Sequence, residues 1–264
     1  MNTPHPYAEI EKVPLFASDN MQSRGYSVRI ENPDADAGWE EVGLVSGDYL
    51  LVSNRQVRNM AQEIADRTPL TWNEEKVFFD GKRFVYGLVT KEGARKEVTT
   101  GDVVSLGMLF ENSYDGSRKL SASLFAYRLA CTNGMLMPDY FAQMRFRHER
   151  SSQGWEDEVE RAMSMLSEAD KGLERFANGA RRLHELRIGS GELAALRSDV
   201  LSAVPITLWG RTVDRYLLDE EHTGWGLLNA GTNIVWHKGR SMRDFTHNET
   251  FTQGLIRYAQ DHAN

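Results

Sequence analysis

Cysteine is almost missing from this sequence: Cys131 is its one thiol among 264 residues. An intramolecular disulfide is therefore excluded, and so is a CxxC metal knuckle. No apolar run reaches the roughly 18 residues that a membrane-spanning helix needs. Residues 1–16 lack a basic stretch followed by an apolar one, so they do not read as a signal peptide, and the cytoplasm is the expected location. Catalytic signatures are missing too. There is no GxxxxGK phosphate loop, GxSxG elbow, HExxH pair or EF-hand loop. The seven histidines (His5, His148, His184, His222, His237, His247 and His262) include no pair at the i, i+4 spacing that puts two imidazoles on one helix face. No metal and no cofactor is expected.

Basic excess is missing as well. The 31 basic residues face 38 acidic ones, a formal net charge of −7. Wholesale coating of nucleic acid draws its affinity from basic excess. The charge argues against that, but leaves room for a local basic groove. Hydrophobic residues at 41% and charged ones at 26% are ordinary for a globular chain. At this length such a chain buries a core without staples. The six tryptophans are spread along the sequence, so they imply no single aromatic box.

Residues 1–25 are polar, carry Pro4, Pro6 and Pro14, and read as an N-terminal arm. Strand patterns begin at Tyr26 and continue through a hairpin expected over 41–52. Asn54 is placed to cap a helix running to about Asp66, with Val57, Met60, Ala61 and Ile64 on one face. Asp80-Gly81 joins two alternating runs and is the best hairpin signal in the chain. Further strands are expected over 103–110, 120–130 and 141–148. The character then changes. Val159, Ala162, Leu166, Ala169, Leu173, Phe176, Ala180 and Leu183 follow steps of three and four, the pattern of one long helix over about 155–187 with a heptad seam. Two readings of that seam stand side by side: packing within the chain, and a homo-oligomer interface. Shorter helices follow to the C-terminus. The expected fold is therefore α+β: a 26–150 core with an antiparallel-rich twisted sheet and one helix, then a helical 151–264 region.

The chemically suggestive stretch runs from Glu111 to Arg150. Asn112, Asp115 and Gly116 mark one polar turn, and Asn133-Gly134 marks another. On a strand, Arg145 and Arg147 share one face, while Phe146 and His148 share the other. Paired arginines make a phosphate rail that Arg128, Arg118 and Lys119 join if the strands are neighbours. Tyr114 or Tyr127 would supply a stacking platform for an unpaired base. Cys131 ends an apolar strand, where a free thiol usually serves as a small buried hydrophobe rather than a nucleophile.

The same stretch carries a resemblance. Asn112-Ser-Tyr-Asp-Gly116, the strand ending Tyr127-Arg-Leu-Ala-Cys-Thr-Asn-Gly134, and Arg145-Phe-Arg-His148 resemble the core signature of the phage/plasmid-like protein family, whose domain is a domain of unknown function (number 932). Thr223-Gly-Trp-Gly-Leu-Leu-Asn-Ala230 resembles a later element of the same family. Tyr114 stands where that family's pattern has a histidine. The resemblance implies mobile-element cargo of a host bacterial cell and carries over no reaction. Three functional readings follow. The first is an oligomer that binds nucleic acid, single-stranded DNA in particular, through Arg128, Arg145, Arg147 and His148. The second is a factor that engages a host or defence protein. The third is an enzyme built on Asn112, Asp115, Asn133 and His148, although no motif fixes their geometry.

Overall fold

The computed structural model describes residues 3–16, 22–35, 37–136, 143–146, 155–218, 222–238 and 242–262. In chain order its strands are β1 (Ile10–Phe16), β2 (Gln22–Glu31), β3 (Trp39–Ser46), β4 (Thr71–Phe79), β5 (Arg83–Glu92), β6 (Arg95–Thr99), β7 (Asp102–Ser113), β8 (Leu120–Arg128), β9 (Asn133–Met135) and β10 (Gln143–Phe146). Its helices are α1 (Asn54–Asp66), α2 (Trp155–Ser167), α3 (Ala169–Glu185), α4 (Ser190–Ala195), α5 (Ile206–Leu218), α6 (Gly224–Lys238) and α7 (Met242–Asp261), with a π-helical turn at Leu196–Val200. The α+β expectation holds: strands dominate the first half and helices the second.

One sheet has the order β1-β2-β3. The other has the order β10-β8-β7-β5-β4, with β6 on β7 and β9 on β8. The chain forms two compact units that do not follow the expected division at residue 150. The first comprises 1–88, 108–123 and 143–166, and the second 89–107, 124–142 and 167–264.

In the first unit, β2 pairs antiparallel with both β1 and β3, bringing Ile10 opposite Ile30 and Tyr26 opposite Val45. Val28, Ile30, Val42 and Tyr114 form its buried cluster, with Ile10, Val45, Leu51 and Phe79 packed against them. The expected N-terminal arm is thus corrected. Part of it is strand β1, and the residues before it are tied down. Asn54 Nδ2 donates to the Pro6 carbonyl at 2.8 Å, Arg55 Nη2 donates to the Tyr7 carbonyl at 2.9 Å, and the Tyr7 ring meets Phe84 edge-on. Helix α1 runs where its periodicity predicts, but its cap is Ser53 rather than Asn54. The Gln56 amide donates to Ser53 Oγ and the Ser53 amide donates to Gln56 Oε1, a reciprocal capping box. The expected 41–52 hairpin keeps only its first strand. After β3 the Tyr49 amide donates to the Ser46 carbonyl, and the chain turns toward the α1 cap.

In the second unit, α3 packs on α6, α7 and β6. Gly179 is needed for that closeness, because a Cβ there would stand 2.9 Å from Ile256 Cγ2 of α7. The single long helix expected over 155–187 is two helices that part at Glu168, and the first belongs to the other compact unit. The seam itself is used inside the chain. Val159, Ala162, Ala169, Leu173, Phe176, Ala180 and Leu183 are all buried. Packing within the chain therefore accounts for these seven positions, while Leu166 of the same seam is half-buried. No helix among the described residues is long and apolar enough to cross a membrane.

Candidate nucleic-acid interface

Two tight turns in the first unit gather cations. The β4–β5 turn closes through Asp80, whose Oδ1 accepts from the Lys82 and Arg83 amides at 3.0 and 2.8 Å. Gly81 takes φ +94° there, a left-handed conformation that favours glycine. The turn from β7 to β8 closes on Ser113. Its Oγ donates to the Arg118 carbonyl at 2.9 Å and accepts from the Arg118 amide at 3.0 Å. Asp115 Oδ1 accepts from the Ser117 amide at 2.9 Å, and Gly116 takes φ +70°.

The two turns are bonded to each other. The Tyr114 amide donates to the Lys82 carbonyl at 2.8 Å, and Arg83 Nε donates to Ser117 Oγ at 3.0 Å. The turn that carries Lys82 and Arg83 and the turn that carries Arg118 and Lys119 are thereby joined. Lys82, Arg118 and Lys119 are exposed. Asp80 and Asp115 both accept from turn amides, and Asp115 also lies near Arg83. Burial pushes the Asp115 carboxyl up, but its bonds from Ser117 and the nearby Arg83 outweigh that and hold it below its ordinary value.

Strand β10 lies beside this surface in register. It pairs antiparallel with β8, with Arg145 opposite Ser121 and Phe146 opposite Leu120. The rail expected at Arg145 thus falls on an edge strand, two positions from the Arg118–Lys119 turn. Arg147 and His148 lie outside the described residues.

The other expected contacts are placed differently. Tyr114 and Tyr127 are each 1% exposed, so neither ring has a face to offer a base. Tyr114 sits in the core of its unit, where its hydroxyl accepts from the Asn54 amide at 2.9 Å. That bond gives the tyrosine a structural reason to stand where the resembled family has histidine. Tyr127 packs edge-on against Trp236. Arg128 is committed to an ion pair. Its Nε and Nη2 each donate to Asp102 at 2.7 Å, its Nη1 donates to Cys131 Sγ at 3.0 Å, and its guanidinium lies over the Trp225 ring. The Trp225 indole donates to the same carboxylate at 2.7 Å. A guanidinium held this way is not available to phosphate.

The motif turns serve the fold as well. Asn112 Nδ2 donates to the Val52 carbonyl and to Asn54 Oδ1, holding the approach to α1. Asn133 Nδ2 donates to Thr232 Oγ1 of α6 at 2.7 Å. Asn248 of α7 clamps β9 from both sides, accepting from the Leu136 amide and donating to the Gly134 carbonyl. For the enzymatic reading, Asn112 and Asp115 belong to one compact unit, Asn133 belongs to the other, and His148 is outside the described residues. Among the described residues no group of three or more His, Cys, Asp or Glu side chains is placed to hold a metal ion.

Lys82 and Arg83 are the functional candidates the residue patterns did not single out. The Asp80-Gly81 signal located their turn, but nothing local says which other turn it meets. No curated protein matches the chain. A family model does match, over residues 41–260, and it covers every turn and strand of this surface: the chain belongs to the family Domain of unknown function (DUF932).

Proposed function

We propose that this protein binds nucleic acid through the phosphate backbone. The reading rests on one observation: two mutually bonded turns carry the exposed Lys82, Arg118 and Lys119 and the half-buried Arg83, while Asp80 and Asp115 accept from the turns' own amides. Clustered cations exchange condensed counterions for phosphate contacts, which suits a local basic surface on an acidic protein. Single-stranded DNA is the ligand to test first, because its flexible backbone can follow a surface as short as two turns. With Tyr114 and Tyr127 buried, any preference for single strands over duplex arises from backbone flexibility rather than from stacking on those rings.

The test is fluorescence anisotropy of labelled single-stranded and duplex DNA at several salt concentrations. The triple variant Lys82→Gln, Arg118→Gln, Lys119→Gln removes exposed side chains and leaves the turn backbone intact. For single strands it should flatten the log–log salt dependence by up to about 2, since each lost phosphate contact is worth roughly 0.7. An unchanged slope, or no binding by the parent protein even at low salt, removes the reading.

Arg128→Gln provides the contrast. It should leave the salt slope unaltered and lower the melting temperature, because this side chain serves the ion pair with Asp102. A loss of slope with no change in melting temperature would return Arg128 to the interface.

A further inference from the structure

Two asparagine oxygens are sealed inside the second unit without a donor. Asn133 of β9 is 0% exposed and Asn229 of α6 is 4% exposed, and the Oδ1 of each is buried with no hydrogen-bond partner. Turning either amide does not cure this. Asn229 Nδ2 donates to the Trp225 carbonyl at 2.8 Å, and a carbonyl only accepts. Asn133 Nδ2 donates to Thr232 Oγ1 at 2.7 Å, and that hydroxyl gives its one proton to the Leu228 carbonyl at 2.8 Å. Both orphaned atoms are therefore acceptors, and each calls for a donor.

The two amides belong to one layer. Asn133 stands opposite Arg128 in the β8–β9 pairing, so both side chains leave the same face of the sheet. Trp225, Asn229 and Thr232 share one face of α6. Two of them touch that sheet face: the Trp225 ring lies under the Arg128 guanidinium, and Thr232 meets Asn133. Asn229 lies between them. The amides hang from α6 carbonyls three residues apart, Trp225 directly and Leu228 through Thr232, which is about 4.5 Å along the helix axis. A water molecule donating at about 2.8 Å in two directions spans a similar distance. Arg128 and Asn133 come from one of the resembled sequence elements, and Trp225 and Asn229 come from the other.

We propose that Asn133 and Asn229 together bind one internal water molecule, which donates to both Oδ1 atoms and joins β9 to α6. It stands independently of the nucleic-acid reading. Size and charge select water. Both oxygens are closed to solvent, so a larger ligand enters only by opening the unit. A cation would meet the Arg128 guanidinium on the same sheet face, and the Asp102 carboxylate is already engaged by Arg128 and the Trp225 indole. Water needs no charge partner, and polar groups left unpaired in an interior are where it is held.

A crystal structure of the full chain, at a resolution that orders internal waters, tests this together with a second crystal soaked in rubidium chloride. One peak should stand about 2.7–3.2 Å from both Oδ1 atoms, with no anomalous scattering from rubidium. In solution, the side-chain amide protons of Asn133 and Asn229 should both show nuclear Overhauser cross-peaks to water, with the sign of a bound molecule rather than of chemical exchange. Asn229→Leu removes one of the two acceptors. It should weaken the Asn133 cross-peak at least severalfold, because a water with one acceptor left is poorly held. The parent protein decides the matter even if that variant does not fold. Overturning results are no peak at this place, a peak that reaches only one of the two oxygens, a rubidium signal there, or an Asn133 cross-peak as strong in Asn229→Leu as in the parent.

Discussion

Asp102→Ala should lower the stability of the protein by about 3–5 kcal/mol, the cost of breaking a buried pair from one side. The carboxylate accepts three hydrogen bonds, two from the Arg128 guanidinium and one from the Trp225 indole, all at 2.7 Å. The side chains of Arg128 and Asp102 are only 15% and 12% exposed, so water replaces little of what is lost. The alanine leaves a charged group and an indole N–H without their acceptor. Asp102→Asn should cost less, since its carbonyl oxygen still accepts from one donor. The double variant Asp102→Leu with Arg128→Met should recover much of the loss, because it removes both charges and leaves only the indole unpaired. Urea denaturation followed by far-ultraviolet circular dichroism measures all three. An Asp102→Ala midpoint equal to that of the parent would mean that the pair does not hold this region.

That ion pair also shows where residue patterns stop being informative. Arg128 looks like a phosphate ligand when only its neighbours in sequence are known, because its partners lie 26 and 97 residues away, at Asp102 and Trp225. Tyr127 was expected to offer a ring on one face of a strand. However, Leu120–Tyr127 of β8 is buried residue after residue, so this strand has no solvent face and alternation carries no outward signal. Strand β1 was hidden for a related reason. Pro14 and the charged Glu11 and Lys12 weaken its local strand pattern, and its evidence as a strand is its pairing with β2. What was legible was local. The α1 face, the Asp80-Gly81 turn and the polar turn after Asn112 each follow from a few adjacent residues. The 155–187 seam lies between these cases. Its apolar row is legible, but a row of that kind does not say whether helices of the same chain, as α6 and α7 do for α3, or a second chain will cover it.

The other large effect is expected at Trp236. This residue is 1% exposed, and its ring lies 5.3 Å from Phe125, 6.4 Å from Tyr127 and 6.2 Å from Phe245. Trp236→Ala should cost about 3–5 kcal/mol, because the surrounding strands and helices cannot collapse fully into the space vacated. Its neighbour Gly134 makes the assignment specific. A Cβ on Gly134 would stand 2.4 Å from Trp236 Cζ3, a distance no real methyl tolerates. Gly134 is also pinned by Asn248, which accepts from Leu136 and donates to the Gly134 carbonyl, so the strand cannot retreat cheaply. Gly134→Ala in the parent protein should therefore cost about 1–3 kcal/mol from overpacking. In the Trp236→Ala background the same methyl enters empty space, and its cost should vanish or turn slightly favourable. The coupling between the two sites is the quantity to measure, by a double-mutant cycle in urea, and about 1–3 kcal/mol is expected. Additive effects would mean that the glycine is needed for its backbone and not for the ring. Strong coupling would assign the Asn133-Gly134 pair of the family signature to packing: the asparagine bonds Thr232, and the glycine makes room for a tryptophan one helical turn further on.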